Sequence, residues 1–286
     1  MILNQIKLKE LIKIWLEEDI GFGDVTTHAT IPNENNGIGL IGAKSQGVIA
    51  GLPIVQAIFS EVDPQLEFKP LVEEGQWVEK GTVLAEVNGK VASILTGERV
   101  ALNVIQRMSG IATKTYRLVQ AAKQGNPNIR IADTRKTTPG LRMIEKYAVT
   151  VGGGTSHRYG LFDAVLIKDN HIKASGGILK AVEQARKAIP HTMTIEVEVE
   201  SIPQVLEALE AKADIIMFDN MSIKLMKEAL SLIGDQALTE ASGGIMIDNI
   251  ADIAALGVDV ISMGSLTYSV EALDISLDLF DRKDRD

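Results

Sequence analysis

The sequence predicts an α/β protein in which a β-rich α/β N-terminal domain precedes an irregular parallel α/β barrel. Two observations support this class. From residue 129 onward, apolar runs alternate with amphipathic helical stretches, which is typical of parallel strands joined by crossover helices. Between residues 24 and 95, short apolar runs are separated by turn residues, which indicates β-structure. The predicted boundaries are residues 1–110 for the N-terminal domain, 111–267 for the barrel and 268–286 for a C-terminal helix that packs back on the N-terminal domain.

Helical spacing places three elements in the first half of the chain. Leu8, Leu11, Ile12, Trp15 and Leu16 predict an amphipathic helix near the N-terminus. A second helix is expected from about residue 53 to 62. A long third helix is expected over 96–124, where the apolar residues Val100, Val104, Met108 and Ile111 form one stripe.

Six apolar runs in the second half predict the strands of the barrel. They are IRIADT, FDAVLIK, MTIEVEVE, DIIMFDN, ALTEASGG and DVISMGS, and each leads into a helical stretch. Six or seven such units in this length fit a closed or nearly closed barrel, with a doubly wound open sheet as the competing arrangement. No GxGxxG follows any strand, so a dinucleotide-binding sheet has no support.

Composition excludes several classes of function. The chain has 286 residues and no Cys, which rules out disulfides, Cys-ligated zinc, Fe–S clusters and a thiol nucleophile. Its net charge of −9 argues against a general nucleic-acid binder. No stretch reaches 18 consecutive apolar residues, so no membrane span is predicted, and the cytoplasm is the expected location.

A stretch from Glu73 to Ile94 is similar to half of a biotinyl or lipoyl carrier domain. A carrier needs a modifiable Lys at the tip of a hairpin, and Asn88-Gly89-Lys90 is the candidate tip. Asn-Gly is also the preferred two-residue turn of an ordinary hairpin, and we favour this simpler interpretation.

Polar and charged residues follow every predicted barrel strand, at the end where barrel enzymes place their active sites. Charge at so many strand ends is costly to bury unless it is paired or binds a ligand. The positions are Asp133 to Lys136, Lys168 to His171, Glu196, Glu198 and Glu200, Asp219-Asn220, Ser242 to Gly244, and Met263 to Ser265.

Two of these groups suggest particular chemistry. The three Glu residues alternate with Val, so they share one strand face and need cations or a metal, while Asp219 comes from the next strand end. Lys168 follows an apolar strand and suits three roles: a salt bridge to a neighbouring carboxylate, a Schiff-base nucleophile or an anion ligand.

Charge and glycine patterns indicate a small polyanionic ligand. Between Glu98 and His171, twelve Lys and Arg residues face five acidic ones, so a segment of charge +7 lies inside an acidic protein. Glycine loops 242–244 and 263–265 follow the last two strands, where barrels often bind phosphate. The residues therefore predict a barrel enzyme that acts on a phosphorylated, multiply anionic small molecule, and Mg²⁺ is a plausible cofactor.

Several long runs resemble the quinolinate phosphoribosyltransferase family, the carboxylating nicotinate-nucleotide pyrophosphorylases. The runs are ADTRKTTPGLR (132–142), KYAVTVGGGTSHRYGLFDAVLIKDNHI (146–172), EEDIGFGDVTT (17–27), GERVALNVIQRMSGIAT (97–113), and then IEVEVES, FDN, SGGI and MGSLT. The resemblance implies a type II phosphoribosyltransferase with an irregular barrel. It implies transfer of phosphoribose from 5-phosphoribosyl 1-diphosphate to quinolinate, with Mg²⁺, and a homodimer with shared active sites.

The resemblance also implies roles for individual residues. Arg135, Arg158, Lys168 and His157 would bind quinolinate together with Arg99 of the partner subunit, and Lys136 and Lys168 would face the phosphates. Glu198 and Asp219 would hold the ribose hydroxyls or Mg²⁺, largely through substrate and water, and would stabilise the positive charge of the transition state. The implied catalytic residues are Lys136, Lys168, Glu198 and Asp219, and the other implied substrate-binding residues are Thr134, Ser242, Gly243, Gly244, Met263, Gly264 and Ser265.

Three other functions stay open at this point. A paralogous phosphoribosyltransferase-like protein linked to molybdenum transport would share the runs but change the substrate. A barrel aldolase would use Lys168 as a Schiff base. A carrier protein would be modified at Lys90.

Overall fold

The computed structural model describes residues 3–32 and 34–281, and these form two compact units. The first unit combines the described residues of 1–114, 139–152 and 269–286, and the second combines residues 115–138 and 153–268. The first unit therefore takes in a short segment, 139–152, that no sequence pattern assigned to it. In the described part of the chain, no helix is both long and apolar enough to cross a bilayer.

Eleven helices are assigned in the described residues. They are α1 Gln5–Ile20, α2 Val25–Thr30, α3 Leu52–Val62, α4 Val91–Gly125, α5 Arg142–Val151, α6 Asp169–Ser175, α7 Ile178–Ala188, α8 Ile202–Glu210, α9 Ile223–Ile233, α10 Ile250–Ala255 and α11 Ser265–Tyr268.

Twelve strands are assigned in the same residues. They are β1 Asn36–Ala43, β2 Gly47–Val48, β3 Glu67–Pro70, β4 Trp77–Val78, β5 Val83–Lys90, β6 Arg130–Ala132, β7 Val165–Ile167, β8 Ile195–Val199, β9 Ile215–Asp219, β10 Leu238–Ser242, β11 Val260–Ser262 and β12 Ile275–Asp281.

The first unit is built on a four-stranded antiparallel sheet in the order β12-β1-β5-β3. The three predicted helices are present as α1, α3 and α4, although α4 begins at Val91 rather than at residue 96. The predicted stripe of α4, which includes Met108 and Ile111, is buried. Arg107 of α4 donates to Glu145 of α5, which is fully buried, and this ion pair connects segment 139–152 to the rest of the unit.

Two sequence predictions in this unit are wrong. The segment expected to be a C-terminal helix contains strand β12, which pairs with β1 so that Ile38 faces Phe280, while its residues 282–286 lie outside the described part of the chain. The apolar residues of this strand alternate with polar ones, at Ile275, Leu277 and Leu279. Alternation also puts apolar residues four positions apart, and this spacing is the same as on one face of a helix. The expected turn at Asn88 to Lys90 is likewise part of a strand, β5, whose backbone pairs with β1.

The second unit contains the six predicted strands in one parallel sheet, in the order β6-β11-β10-β9-β8-β7. The α/β class with a parallel sheet and a β-rich first half is therefore confirmed. In the described residues, β6 and β7 lie at opposite ends of this order, and Ala132 of β6 forms an isolated parallel bridge with Thr155. The core includes Ile195, Val197 and Val199 of β8, which are fully buried.

Candidate active site

The carboxyl ends of the six parallel strands carry the charged residues that the sequence singled out, and all of these strand ends belong to the second unit. In-register pairing places the neighbouring strand ends side by side: Asp219 of β9 pairs with Ser242 of β10, and Ser262 of β11 pairs with Ala132 of β6. The loops that follow these pairs therefore leave the sheet from one edge.

Lys168 and Glu198 form a direct ion pair between the ends of β7 and β8. The Glu198 side chain is 12% exposed and that of Lys168 is 45% exposed. The backbone N–H of Lys168 also donates to Nδ1 of His171, at 2.9 Å, which anchors the start of α6. Of the roles that the sequence left open for Lys168, the salt bridge to a neighbouring carboxylate is present.

Two guanidinium groups lie near each other in the same unit. Burial, and then repulsion from Arg135, lower the pKa of Arg158, while Glu196 and Asp163 oppose this shift. The Nη1 atom of Arg158 donates to the carbonyl of Ala164 at 3.1 Å, which orients the side chain. Two cations held close together in a partly buried setting fit a ligand with two carboxylates.

The loop that carries Arg158 is held by hydrogen bonds to Asp133, a fully buried residue that follows β6. Its Oδ1 accepts the backbone N–H of His157 at 2.9 Å, and its Oδ2 accepts the Ser156 hydroxyl at 3.3 Å. Thr155 adds a backbone bond to Ile131 at 2.7 Å. The loop that follows the glycine run at 152–154 is therefore hydrogen-bonded to the end of β6.

His157 lies against two buried carboxylates, Glu196 of β8 and Glu240 of β10. Its Nε2 atom is 3.1 Å from Oε2 of Glu196 and 3.5 Å from Oε1 of Glu240, and each glutamate is 3% exposed. Burial alone lowers the pKa of His157, but the hydrogen bonds and charges of Glu196 and Glu240 outweigh it and raise this pKa to about 10. Burial, opposed by the His157 bond and reinforced by the charge of Glu240, raises the pKa of Glu196.

The other ring nitrogen of His157 lies close to the main chain. Its Nδ1 atom is 2.8 Å from the backbone nitrogen of Arg158. Ligand atoms of His157, Glu196 and Glu240 lie within 4.8 Å of one another, which is also the spacing of a metal site.

Asp219 is held by the residue that follows it. Asn220 donates from Nδ2 to Oδ2 of Asp219 at 3.0 Å, and its backbone has a positive φ of 52°, which is uncommon for a residue other than Gly. Gly243 lies directly against it, since a Cβ at Gly243 would come within 2.3 Å of Oδ1 of Asn220. Gly243 of the first glycine loop therefore leaves room for the Asn220 side chain that contacts the Asp219 carboxylate.

The second glycine loop supports Lys136. A Cβ at Gly264 would lie 2.7 Å from Cδ of Lys136 and 3.3 Å from Oγ1 of Thr134, so the lysine stem passes over this glycine. The carbonyl of Lys136 accepts the Thr267 hydroxyl at 2.8 Å, and its N–H donates to Oγ1 of Thr134 at 3.0 Å. Met263 is buried, and its backbone N–H donates to the carbonyl of Ala132 at 2.9 Å.

The structure groups most of the predicted site residues, although not all of them. Except for Arg99, every predicted substrate-binding and catalytic residue belongs to the second unit. Arg99 belongs to the first unit, on α4, where its side chain is 60% exposed and 3.8 Å from Glu98. Glu200, expected to share a face with Glu196 and Glu198, follows the end of β8 and is exposed.

Sequence reasoning missed three residues of the site: Glu240, Asn220 as a support for Asp219, and His171 as a support for Lys168. Glu240 lies within β10 between Thr239 and Ala241, and no motif in the sequence marks it, although it is buried in the structure. The cations, the paired carboxylates and the two glycine loops at one strand edge define an enzyme site for a small polyanion that includes phosphate.

Comparison with known proteins gives this class a family. Residues 24–109 match the family described as quinolinate phosphoribosyl transferase, N-terminal domain, and residues 111–278 match the corresponding C-terminal domain. The chain belongs to the quinolinate phosphoribosyltransferase family.

Individual relatives agree with this assignment over nearly the whole chain. A probable nicotinate-nucleotide pyrophosphorylase [carboxylating] of Bacillus subtilis is 46% identical over 97% of this chain and 95% of its own length. A quinolinate phosphoribosyltransferase [decarboxylating] of Nicotiana tabacum is 44% identical over 94% of this chain and 81% of its own length. The crystal structure of NadC from Streptococcus pyogenes superposes with a TM-score of 0.93 at 41% identity, covering 98% of this chain and 100% of that one.

Proposed function

We propose that this chain is a quinolinate phosphoribosyltransferase, which converts quinolinate and 5-phosphoribosyl 1-diphosphate to nicotinate mononucleotide, CO₂ and diphosphate in the synthesis of NAD. The observation that carries the proposal is that one unit holds both the neighbouring cations Arg135 and Arg158 and the ion pair of Lys168 and Glu198. These groups offer cations for a dicarboxylate and a carboxylate for a developing positive charge. The names of the relatives support the same reaction.

In this reaction the ring nitrogen of quinolinate attacks C1 of the ribose, and the bond from C1 to the diphosphate oxygen breaks. Arg135 and Arg158 hold the two carboxylates and so orient the nitrogen. Glu198 and Asp219 face the ribose, where positive charge develops as the diphosphate leaves. The carboxylate at C2 is then lost as CO₂, and the electron pair left on C2 is stabilised by the adjacent pyridinium nitrogen before a proton replaces it. No general base is required.

Lys136 and the two glycine loops are the proposed binding site of the phosphates. Lys136 is exposed above Gly264, and its stem is fixed by packing while its ammonium is available. Thr134, Ser242, Gly243, Gly244 and Ser265, with the main chain of Met263, complete this part of the site.

Mg²⁺ is the proposed cofactor, with Glu198 and Asp219 as the residues that would hold it, in part through substrate and water. Their carboxylate oxygens, on adjacent strands, are the donors that Mg²⁺ prefers. The ion, when bound, would neutralise charge on the diphosphate. Lys168 already neutralises Glu198, which favours a metal that is held mainly by the substrate and by Asp219.

The proposed active unit is a homodimer in which Arg99 enters the site of the partner subunit. Exposure of Arg99 on α4 supports this proposal, since its nearest ion-pair partner is the neighbouring Glu98 at 3.8 Å.

The cytoplasm remains the proposed location, and fractionation of cells that express the protein would test it.

Two of the alternative functions, the Schiff-base aldolase and the carrier protein, are less well supported by the geometry. A Schiff-base lysine must be deprotonated to attack, whereas Lys168 is ion-paired with Glu198. Lys90 ends a paired strand instead of occupying a hairpin tip.

The decisive experiment is an assay for nicotinate mononucleotide with purified protein, 5-phosphoribosyl 1-diphosphate, Mg²⁺ and either quinolinate or nicotinate. We expect product from quinolinate and little from nicotinate, which lacks one of the two carboxylates. Equal use of nicotinate, or no turnover of quinolinate, would contradict the proposed substrate.

A further inference from the structure

Among residues 3–32 and 34–281, Phe22 is the most exposed large apolar side chain. It lies in the turn between α1 and α2, where the flanking Gly21 and Gly23 have positive φ angles of 52° and 131°. The N–H groups of these glycines donate to carbonyls of the last turn of α1, at 3.1 and 2.9 Å. Val25, three residues further on, is also exposed. The Phe22 ring therefore projects into solvent from a hydrogen-bonded turn, although an aromatic ring gains free energy from burial.

The turn that carries Phe22 is attached to the helix that carries Arg99. Asp24 begins α2 by accepting the backbone N–H of Thr27 at 2.9 Å, and its Oδ2 also accepts the Thr96 hydroxyl of α4 at 3.4 Å. Thr96 and Arg99 are three residues apart on α4, so they are neighbours on its surface. Phe22 and Arg99 are therefore held in one neighbourhood of the first unit.

A second exposed apolar pair lies in the other unit, in the loop that follows Arg158. Leu161 and Phe162 are each 74% exposed, and we call these two residues the apolar tip. Asp163 fixes the loop, because its carboxylate accepts the backbone N–H groups of the two residues after Arg158, at 2.6 and 2.8 Å. The Phe162 ring lies over Gly160, where a Cβ would come within 2.4 Å of it. The apolar tip is thus a fixed surface a few residues from a proposed quinolinate ligand.

The charges that accompany these two surfaces are opposite. Residues 17–24, which include Phe22, contain four acidic residues and no Lys or Arg. The unit that carries the apolar tip presents Arg135, Lys136, Arg158 and Lys168 at its strand ends. In a dimer with a two-fold axis, the acidic turn of each copy faces the basic strand ends of the other, so both contacts form at once. Charge complementarity therefore identifies the occupant of the exposed surface as a second copy of this chain.

We propose that Phe22 is an anchor of the subunit interface, which packs against the partner's Leu161 and Phe162 and so places Arg99 in the partner's quinolinate site. The inference rests on the proposed function and its shared site, and it adds the contact that brings Arg99 there. Phe22 touches no substrate in this arrangement, so it is a positioning residue. Its loss weakens the dimer and, through Arg99, the binding of quinolinate.

The chain has no Cys, so disulfide cross-linking tests this contact directly. Phe22→Cys and Phe162→Cys proteins would be purified separately, mixed, exchanged through mild denaturant and oxidised. We expect a disulfide-linked dimer on a non-reducing gel from the mixture, and none from either protein alone. Ile6→Cys mixed with Phe162→Cys is the matched control, because Ile6 is 76% exposed but lies at the other end of α1.

Several results of the cross-linking experiment would overturn the inference. Native mass spectrometry would identify the dimers in the mixed sample, and mixed dimers that form no disulfide would exclude the contact. A disulfide in the Phe22→Cys protein alone would mean that the two-fold axis brings Phe22 to its own copy instead. Equal cross-linking of the Ile6→Cys control would show that the disulfide reports collision, and a monomeric wild type would remove the interface altogether.

The strength of the anchor would be measured with Phe22→Ala. We expect the dimer dissociation constant, from sedimentation velocity over a concentration series, to rise at least tenfold, whereas Ile6→Ala should change it less than twofold. At protein concentrations below that constant, the KM for quinolinate should rise because Arg99 is withdrawn, and a higher protein concentration should restore it. An unchanged dissociation constant, or a raised KM that protein concentration does not restore, would overturn the inference.

The assembly measurements need no substrate, so they separate this inference from the proposed function. A wild-type dimer that gives the expected cross-link but turns over no quinolinate would support the Phe22 contact and contradict the proposed reaction. Quinolinate turnover by a dimer without that cross-link would support the reaction and overturn the contact.

Discussion

The ammonium of Lys168 contacts Oε2 of Glu198, so the cation proposed for the anionic substrate and the carboxylate proposed for the developing positive charge neutralise each other. The pair joins the ends of β7 and β8. Because each group is the other's counterion, a substitution at one of them changes the charge that the other presents. This coupling decides what single variants of the pair should do.

Glu198→Gln is expected to lower kcat by tenfold or more while quinolinate binding changes little. The variant removes negative charge near the ribose, where positive charge develops, and it frees Lys168 for the substrate carboxylates. Steady-state kinetics with each substrate varied in turn would check this. An unchanged kcat with a raised KM for quinolinate would mean that Glu198 contacts quinolinate and does not act at the ribose.

Arg135→Ala and Arg158→Ala are expected to weaken quinolinate binding, each by about 1.5–3 kcal/mol, the usual range for a hydrogen bond to a charged group. Binding of 5-phosphoribosyl 1-diphosphate, measured by calorimetry, should change much less. Arg158 also contacts the carbonyl of Ala164, so its variant should lose some thermal stability as well. Arg186→Ala is a control, since Arg186 forms an ion pair with Asp214 before β9, at the opposite end of the strand from Asp219.

Gly243→Ala is expected to lower kcat through Asp219. The new Cβ would lie 2.3 Å from Oδ1 of Asn220 and would displace that side chain. Asn220 would then lose its hydrogen bond to Asp219. The matched control is Gly257→Ala, because the φ angles of the two glycines are close, 85° and 91°, and a Cβ at Gly257 meets no atom within 4 Å. Both variants should lose on the order of 1 kcal/mol of stability from backbone strain. Loss of activity in both, or in neither, would contradict the contact argument.

The strand edge could be predicted because the signals were local. Each strand of the parallel sheet is a short, largely apolar run. Charged residues follow or end the first four strands, and glycines follow the last two. Glu240 and its partner His157 lie on separate segments and meet only in the folded chain, and no pattern within β10 links them. Strand β12 was mistaken for a helix because alternation at Ile275, Leu277 and Leu279 also satisfies a spacing of four. Asn88 to Lys90 formed a strand because pairing with β1 outweighs the turn preference of Asn-Gly.

The cluster around His157 should make stability depend on pH. The pKa of His157 is raised to about 10 from an ordinary 6.5, so the folded protein holds a proton that the unfolded chain releases. Its stabilising contribution is fully present below pH 6.5 and is lost as the pH rises toward 10. The free energy of unfolding, measured in urea between pH 6 and 10, should therefore fall more steeply in the wild type than in Glu240→Gln, by at most ~1.4 kcal/mol per pH unit. Parallel curves would contradict the raised pKa.

The proposed sharing of the active site between two subunits predicts complementation between two inactive variants. Arg99 belongs to the first unit and Lys168 to the second, and the proposal places Arg99 in the partner's site. Arg99→Ala and Lys168→Ala should each be inactive as homodimers. In a mixed dimer, one site collects both substitutions and the other collects neither, so random pairing of equal amounts restores roughly a quarter of all sites.

Mixing the two proteins and exchanging their subunits through mild denaturant should therefore recover about a quarter of wild-type activity. Native mass spectrometry would confirm that mixed dimers form. The control for refolding is the Lys168→Ala protein alone, taken through the same denaturant treatment. Background activity in a sample that contains mixed dimers would mean that Arg99 and Lys168 act within one chain. The recovered activity depends on the fraction of mixed dimers, so it should be highest when the two variants are mixed in equal amounts. Slow refolding of either variant alone would not give a maximum at equal amounts.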